Sequence, residues 1–239
     1  MKKFGIICAM QKEAQQLMDR LTVQKKINVG PFEFVQASLN GKEIILAQSG
    51  MGKVNAALGA VEMIYRFKPD ALISSGVAGG LAKQLKPLDC VVGTQYVYHD
   101  VWCGTGNEYG QVQGLPTFFN ADKKLVAAAD KIGTQEGHTV HKGLICTGDQ
   151  FISGEEAVER ILKHFPQALA CDMESAAIAQ VCYRHHTPFI SMRLLSDVAG
   201  KAEDNMSQYE NFWETMADQG FARTWALLTA LTQEVNRAQ

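Results

Sequence analysis

The chain has 239 residues, 46% of them hydrophobic and 20% charged, with a formal net charge of −2. That length fits one large α/β domain or two small ones, and it suffices to bury a core without metal or disulfide staples. The charge is nearly balanced and Lys and Arg are scattered, which excludes the basic footprint of a nucleic-acid or membrane-surface binder.

The N-terminal Met1-Lys2-Lys3 and the apolar residues after it mimic the start of a signal peptide. The run stops at Gln11-Lys12-Glu13 with no small-residue cleavage pattern behind it, so Phe4 to Ala9 reads as a first buried strand. No apolar run approaches the roughly 20 residues needed to cross a bilayer. Residues 11–21 carry Ala14, Leu17, Met18 and Leu21 at helical spacing, which puts Glu13 at the start of a helix just past that strand. Phe32 to Leu39 and Glu43 to Gln48 form a hairpin around Asn40-Gly41, a dipeptide that tolerates the positive φ values of a two-residue turn. Residues 53–67 read as a helix with Ala57, Val61 and Ile64 on one face. Ala71 to Ser75 is a buried strand ending in a Gly-rich turn, Gly76-Val77-Ala78-Gly79-Gly80, and Cys90 to Tyr98 is another strand.

Residues 99–120 form a long irregular stretch rich in Gly and aromatics, the kind that is usually functional or an interface. A helix at about 121–132 and a strand at 139–147 follow. Ser153-Gly154-Glu155-Glu156 fits a capping box opening a helix near 154–164. Ala168 to Cys171 is a short strand, Met173 to Arg184 an Ala-rich helix, and Phe189 to Leu195 the last strand. Ser207-Gln208-Tyr209-Glu210 is a second capping box, before a long C-terminal helix. Buried strands alternating with helices predict an α/β fold. The economical architecture is a single domain over 1–239, a three-layer α/β/α sandwich around a mixed β-sheet.

Six cysteines are present with no CxxC pair, and four lie inside apolar runs; they read as reduced, buried hydrophobes in a reducing compartment, hence a cytoplasmic protein. Gly50-Met51-Gly52-Lys53 is followed by Val54 and lacks the earlier Gly of a phosphate-binding loop. Gly76 to Gly80 is not a dinucleotide fingerprint. His185-His186 are adjacent on a helix end and suit a metal poorly, and no zinc spacing occurs, so no metal is expected.

Ligand sites in open α/β sheets form outside the C-terminal ends of strands. Acidic residues stand at four such places: Glu13, Asp149, the pair Asp172 and Glu174, and Asp197. Each has a plain structural reading as a turn former or helix cap. Four together point to a shared acidic site but do not identify a substrate.

At these residues the sequence resembles the methylthioadenosine/S-adenosylhomocysteine nucleosidases of the purine nucleoside phosphorylase superfamily. The matching segments are Gly5–Glu13, Ser49–Val54, Ser75–Gly80, Tyr98-His99-Asp100, Gly148–Ile152, Asp172–Ala177 and Arg193–Asp197, in the family's order and spacing from Met1 to about Val235. The resemblance implies that Asp197 protonates purine N7 and Glu13 activates the attacking water. It implies that Phe151 stacks on the purine and that the Ile152 backbone bonds its edge. Met173 and Glu174 would hold the ribose; Val77, Ala78 and Gly79 would lie beside the sugar, with Met51 and Ser196 also lining the substrate. Arg193 and Met10 would line the water and sugar region. It further implies a homodimer in which the 103–117 loop of one chain closes the partner's pocket, and no metal or organic cofactor.

Many family members carry Ser where this chain has Val77 and Glu where it has Asp172, and Trp102-Cys103-Gly104 departs from the usual loop. Superfamily phosphorylases are expected to grip phosphate with arginines after the first strand and in the later Gly-rich turn. Neither Ala9–Glu13 nor Ser75–Gly79 holds one, so water is the expected nucleophile. The expected substrates are methylthioadenosine, adenosylhomocysteine and 5′-deoxyadenosine. The alternatives are a nucleosidase acting on aminodeoxyfutalosine, a purine nucleoside phosphorylase, or a non-catalytic nucleoside-binding module.

Overall fold

The computed structural model describes residues 1–130, 139–200 and 205–234. In chain order the elements are β1 (Lys3–Cys8), α1 (Gln11–Met18), β2 (Thr22–Val29), β3 (Phe32–Leu39), β4 (Lys42–Gln48), α2 (Lys53–Phe67), β5 (Ala71–Gly80), β6 (Cys90–Tyr98), β7 (Phe119–Asn120), α3 (Lys123–Ala129), β8 (Val140–Thr147), α4 (Glu155–His164), β9 (Ala168–Asp172), α5 (Ser175–His185), β10 (Phe189–Val198), α6 (Asn205–Asn211), a π-helical turn (Phe212–Met216) and α7 (Ala217–Glu234). The last two residues of the helix expected at 121–132 lie outside the described residues.

One mixed sheet runs β10-β6-β8-β9-β5-β1-β4-β3-β2, and β10 also pairs with β5. That extra pairing curls five strands, β5, β10, β6, β8 and β9, back on themselves. The result is a three-layer sandwich whose sheet is half closed. Alternate residues of β1 bury on opposite faces: Ile7 packs with Ala56, Ala60 and Met63 of α2 and with α5, while Phe4, Ile6 and Cys8 pack with Leu17 of α1, Leu125 of α3 and Leu228 of α7. A strand covered on both sides reads as a continuous apolar run, which is why β1 is visible in the sequence. The hairpin turn is as expected, with Asn40 at φ 52° and Gly41 at φ 74°.

Several expectations are corrected. Strand β2 has no sequence signal: it is an edge strand with most of its side chains in solvent, paired on one side only, to β3. Gly76 to Gly80 is not a turn but the second half of β5; there the strand leaves β1 and pairs with β9 through Gly79 and Gly80. The buried face of α2 is Ala56, Gly59, Ala60 and Met63, not Ala57, Val61 and Ile64. The helix has two apolar stripes, and the small one lets it approach α5 and the sheet closely. Neither capping box forms. The N-cap of α4 is Gly154 at φ 79°, with no side-chain cap. Ser207 lies inside α6. Helix α5 starts at Ser175, and Asp172 accepts from the backbone N–H groups of Glu174 (3.3 Å) and Ser175 (3.2 Å), satisfying its first turn.

Candidate active site

A cleft opens where β1, β5, β9 and β10 end. Of the thirteen residues expected at the site, twelve line it: Met10, Glu13, Met51, Val77, Ala78, Gly79, Phe151, Ile152, Met173, Glu174, Ser196 and Asp197. Arg193 does not. Also lining it are Asp172, one of the acids singled out at the strand ends, and Ala9, Gln150, Cys171 and Tyr209, which sequence reasoning did not place there. Cys171 and Gln150 adjoin residues already singled out. Tyr209 comes from α6, far along the chain, and only the tertiary fold brings it in.

Glu13 is buried in the first turn of α1. Its Oε2 accepts from the backbone N–H of Ala9 (3.0 Å) and Met10 (2.9 Å), and its Oε1 from that of Val77 (3.0 Å). The α1 start and strand β5 therefore hold this carboxylate from two sides. A Cβ at Gly76 would collide with Arg193 Nη1 and lie 2.7 Å from Glu13 Oε1, so this strand position has room only for glycine. Burial pushes the Glu13 carboxyl up, while Arg193 and the three amide donors pull it back toward the ionised form.

Asp197 sits within β10, not beyond it. The β10–β5 register jumps between Leu195 and Asp197, leaving Ser196 as the extra residue of a bulge. Bulges re-aim side chains, and here Ser196 and Asp197 both face the cleft. Gly79, paired with Asp197, is flanked by Asp197 and the Cys171 thiol. Asp197 Oδ1 accepts from Ser196 Oγ (2.7 Å) and Oδ2 from Asn205 Nδ2 (3.1 Å). Burial raises this carboxyl to about 6 against the pull of those two donors.

Glu174 is buried at the start of α5; its Oε1 accepts from the backbone N–H of Gly52 (3.0 Å) and burial raises it to about 7, opposed by Arg193. Arg193 lies behind these acids. Its Nε donates to Asp172 Oδ2 at 2.7 Å, Nη2 donates to Ser74 Oγ at 2.9 Å and stands 3.6 Å from Glu174 Oε2. Both partners of the Arg193–Asp172 pair are 1% exposed, and Asp172 also accepts from Thr147 Oγ1 (2.6 Å) and from Ser175 Oγ. The guanidinium is thus spent inside the protein, anchoring the floor of the site. Correcting the expectation, it does not line the cleft: it is buried, and the Asp172 carboxylate at the end of β9, which reaches it across β5, holds it back.

The open side of the cleft is aromatic. Phe151 is 45% exposed and meets Tyr209 edge-on at 5.9 Å. Tyr209 Oη donates to Met10 Sδ at 3.4 Å. Among the described residues no Lys or Arg lines the cleft. Lys12 turns away, with Nζ 3.9 Å from the centre of the Trp213 ring. No residue of 103–117 lines the cleft of its own chain; Tyr109 of that loop stacks on His164 at 3.7 Å. Among the described residues no group of three or more His, Cys, Asp or Glu is arranged to hold a metal ion.

The family model of the phosphorylase superfamily matches residues 3–231. The 5′-methylthioadenosine/S-adenosylhomocysteine nucleosidase of Actinobacillus succinogenes is 40% identical over 96% of this chain and 99% of its own length. The chain belongs to the methylthioadenosine/S-adenosylhomocysteine nucleosidase family of that superfamily. The nucleosidase of Neisseria meningitidis, solved in complex with methylthio-immucillin-A, superposes with a TM-score of 0.89 at 39% identity, covering 96% of this chain and all of that one. The nucleosidase of Colwellia psychrerythraea, solved in complex with adenine, gives 0.88 at 38% identity, covering 97% of this chain and 94% of its own. Every strand that borders the cleft lies inside residues 3–231, the stretch that the family model matches.

Proposed function

We propose that the chain hydrolyses the N-glycosidic bond of 5′-methylthioadenosine and S-adenosylhomocysteine, and also of 5′-deoxyadenosine, releasing adenine and the thioribose (or deoxyribose) in methionine salvage and the recycling of S-adenosylmethionine by-products. The observation that carries the reading is a pair of buried carboxyl groups, Glu13 and Asp197, facing one cleft from different strand ends with no cationic side chain lining it among the described residues.

Adenine leaves with the electrons of the glycosidic bond, and a proton on N7 neutralises them. Asp197, raised to about 6 by burial, is the donor. The sugar becomes oxocarbenium-like, and the Glu13 carboxylate, drawn toward its ionised form by Arg193 and three N–H donors, stabilises that charge. Glu13, held by three N–H donors, takes the proton from the attacking water. Glu174 binds the ribose hydroxyls beside Met173. Phe151 stacks on the purine, the Ile152 backbone bonds its edge, and Val77, Ala78, Gly79, Ser196, Met10 and Met51 shape the walls. Arg193 acts from behind, setting the position and charge of Glu174 and Asp172. Proton transfer and addition of water need no metal or organic cofactor. Among the described lining residues phosphate would meet acids and no cation, which favours water as nucleophile.

The whole chain acts as one domain, supported by the single sheet that runs from β2 to β10. It works as a homodimer in which the 103–117 loop closes the partner's cleft. Supporting this, the outward stripe of α2 exposes Val54, Leu58 and Tyr65 at helical spacing, with Met51 beside them. The cytoplasm is the proposed setting, supported by five buried free thiols.

Adenine release from methylthioadenosine, with and without phosphate, tests the reading. Adenine and free methylthioribose at a rate independent of phosphate are expected. Turnover only with phosphate would make the enzyme a phosphorylase.

A further inference from the structure

The Asn205 side chain is buried at the start of α6, and among the described residues its amide makes four hydrogen bonds, all outside its own helix. Nδ2 donates to Asp197 Oδ2 (3.1 Å) and to the Val198 carbonyl (3.1 Å). Oδ1 accepts from the Gly154 backbone N–H (3.3 Å) and from Ser153 Oγ (3.4 Å). The chemistry of the partners fixes the amide's orientation. Turned over, it would set its oxygen against a carboxylate and a carbonyl, and its N–H groups against a backbone N–H.

We propose that Asn205 is a positioning residue for the acid of this reaction: it keeps Asp197 Oδ2 as a hydrogen-bond acceptor, leaves Oδ1 as the oxygen that carries the proton, and ties that arrangement to the loop bearing Phe151 and Ile152. The proposal rests on the nucleosidase reading of the cleft. The two oxygens of Asp197 have unlike partners. An amide N–H can only donate, so a proton on Oδ2 would face a donor. The Ser196 hydroxyl, 2.7 Å from Oδ1, is also 3.4 Å from the Ala78 carbonyl. It can turn its hydrogen to Ala78 and accept from Oδ1–H, then turn back once that proton has gone to purine N7. The carboxylate left behind is met by Ser196 O–H on one oxygen and Asn205 N–H on the other. The same amide grips Ser153 and Gly154, directly after the residues that line the purine end, so the acid and the purine wall share one anchor.

Among the described residues the other titratable groups lining the cleft with Asp197 are the Cys171 thiol and Asp172 of β9, Tyr209 of α6, and Glu13 and Glu174. None is altered by a change at Asn205. Removing a donor from the charged form of an acid raises its pKa. The alkaline limb of kcat/KM, where the acid loses its proton, should therefore move to higher pH.

The test is adenine release from methylthioadenosine by the full chain as wild type, Asn205→Ala, Asn205→Ser and Asn205→Asp, over about pH 5 to 9, with thermal unfolding of each. For Asn205→Ala, kcat should fall roughly 10- to 100-fold, as expected for a misplaced catalytic group, and the alkaline limb should rise by about half to one pH unit, the worth of one hydrogen bond. Asn205→Asp should raise it further, because carboxylate then faces carboxylate. Asn205→Ser keeps one donor on a shorter side chain and should fall between wild type and Ala. Ser153→Ala touches only the loop half of the anchor and should leave the limb in place. A folded Ala or Ser variant with kcat within about twofold of wild type and an unmoved limb overturns the role of Asn205. If the Ala variant does not fold, an unmoved limb in the Ser or Asp variant does the same. A wild-type protein that releases no adenine would instead bring down the function on which the proposal rests.

Discussion

Replacing Asp197 by Asn should abolish turnover and at the same time stabilise the protein at neutral pH. The amide fits the same space: its oxygen can take the Asn205 N–H that now reaches Oδ2, and its NH2 can donate to Ser196 Oγ. What it lacks is a proton to give to N7. Loss of a general acid costs roughly 10²–10⁴-fold in rate, and kcat should fall by at least about that factor. The stability effect follows from burial. The native carboxyl titrates near 6, against about 3.9 for an unfolded Asp. Below about pH 4 both states are protonated and the group contributes nothing. As pH rises through 4 to 6 the unfolded state ionises first, and above 6 the native state carries a buried charge costing up to about 3 kcal/mol. Asn never pays that cost. In a chain of this length about 1 kcal/mol moves Tm by roughly 2–4 °C. The variant should therefore melt up to about 10 °C above wild type at pH 7.5, with the gap closing toward pH 4. Adenine release and thermal unfolding at the two pH values are the assays. Retention of more than about 1% of kcat would remove Asp197 as the acid. A variant less stable than wild type at pH 7.5 would refute the account of why the carboxyl holds its proton.

Glu13→Gln should bind methylthioadenosine but not cleave it, with kcat down by at least about 10²-fold; calorimetric binding beside adenine release checks this. Its NH2 must also face either Val77 N–H or the Ala9 and Met10 pair, so a loss of about 1–3 kcal/mol in stability is expected. Arg193→Met strands Asp172 as a buried charge and should cost about 3–5 kcal/mol by denaturant unfolding; adding Asp172→Asn should recover part of it, and a single variant as stable as wild type would show that the pair does not hold the floor. The pH profile of kcat/KM should be bell-shaped, falling at high pH as Asp197 loses its proton and at low pH as Glu13 gains one, and a flat profile over about pH 5 to 9 would count against two opposed carboxyl roles.

The sequence alone determined the α/β alternation, the turn at Asn40-Gly41 and the motif residues that line the cleft. Each is local. An apolar run shows a strand covered on both faces, a dipeptide shows a φ requirement, and a short motif carries its side chains with it. What the fold decided were relations between distant segments. Edge strand β2 has no burial to print on its residues. The two apolar stripes of α2 look alike until α5 and the sheet choose the small one. Gly76 to Gly80 became strand because β9 and β10 pair with it. Arg193 turned inward because Asp172, at the end of β9 on the far side of β5, takes its guanidinium. Tyr209 reached the cleft, and Asn205 the carboxyl of Asp197, only because α6 packs against β10. Periodicity reports how much of a residue is buried; which partner buries it is a property of the packed chain, and at this site the partner sets both the charge and the aim of each acid.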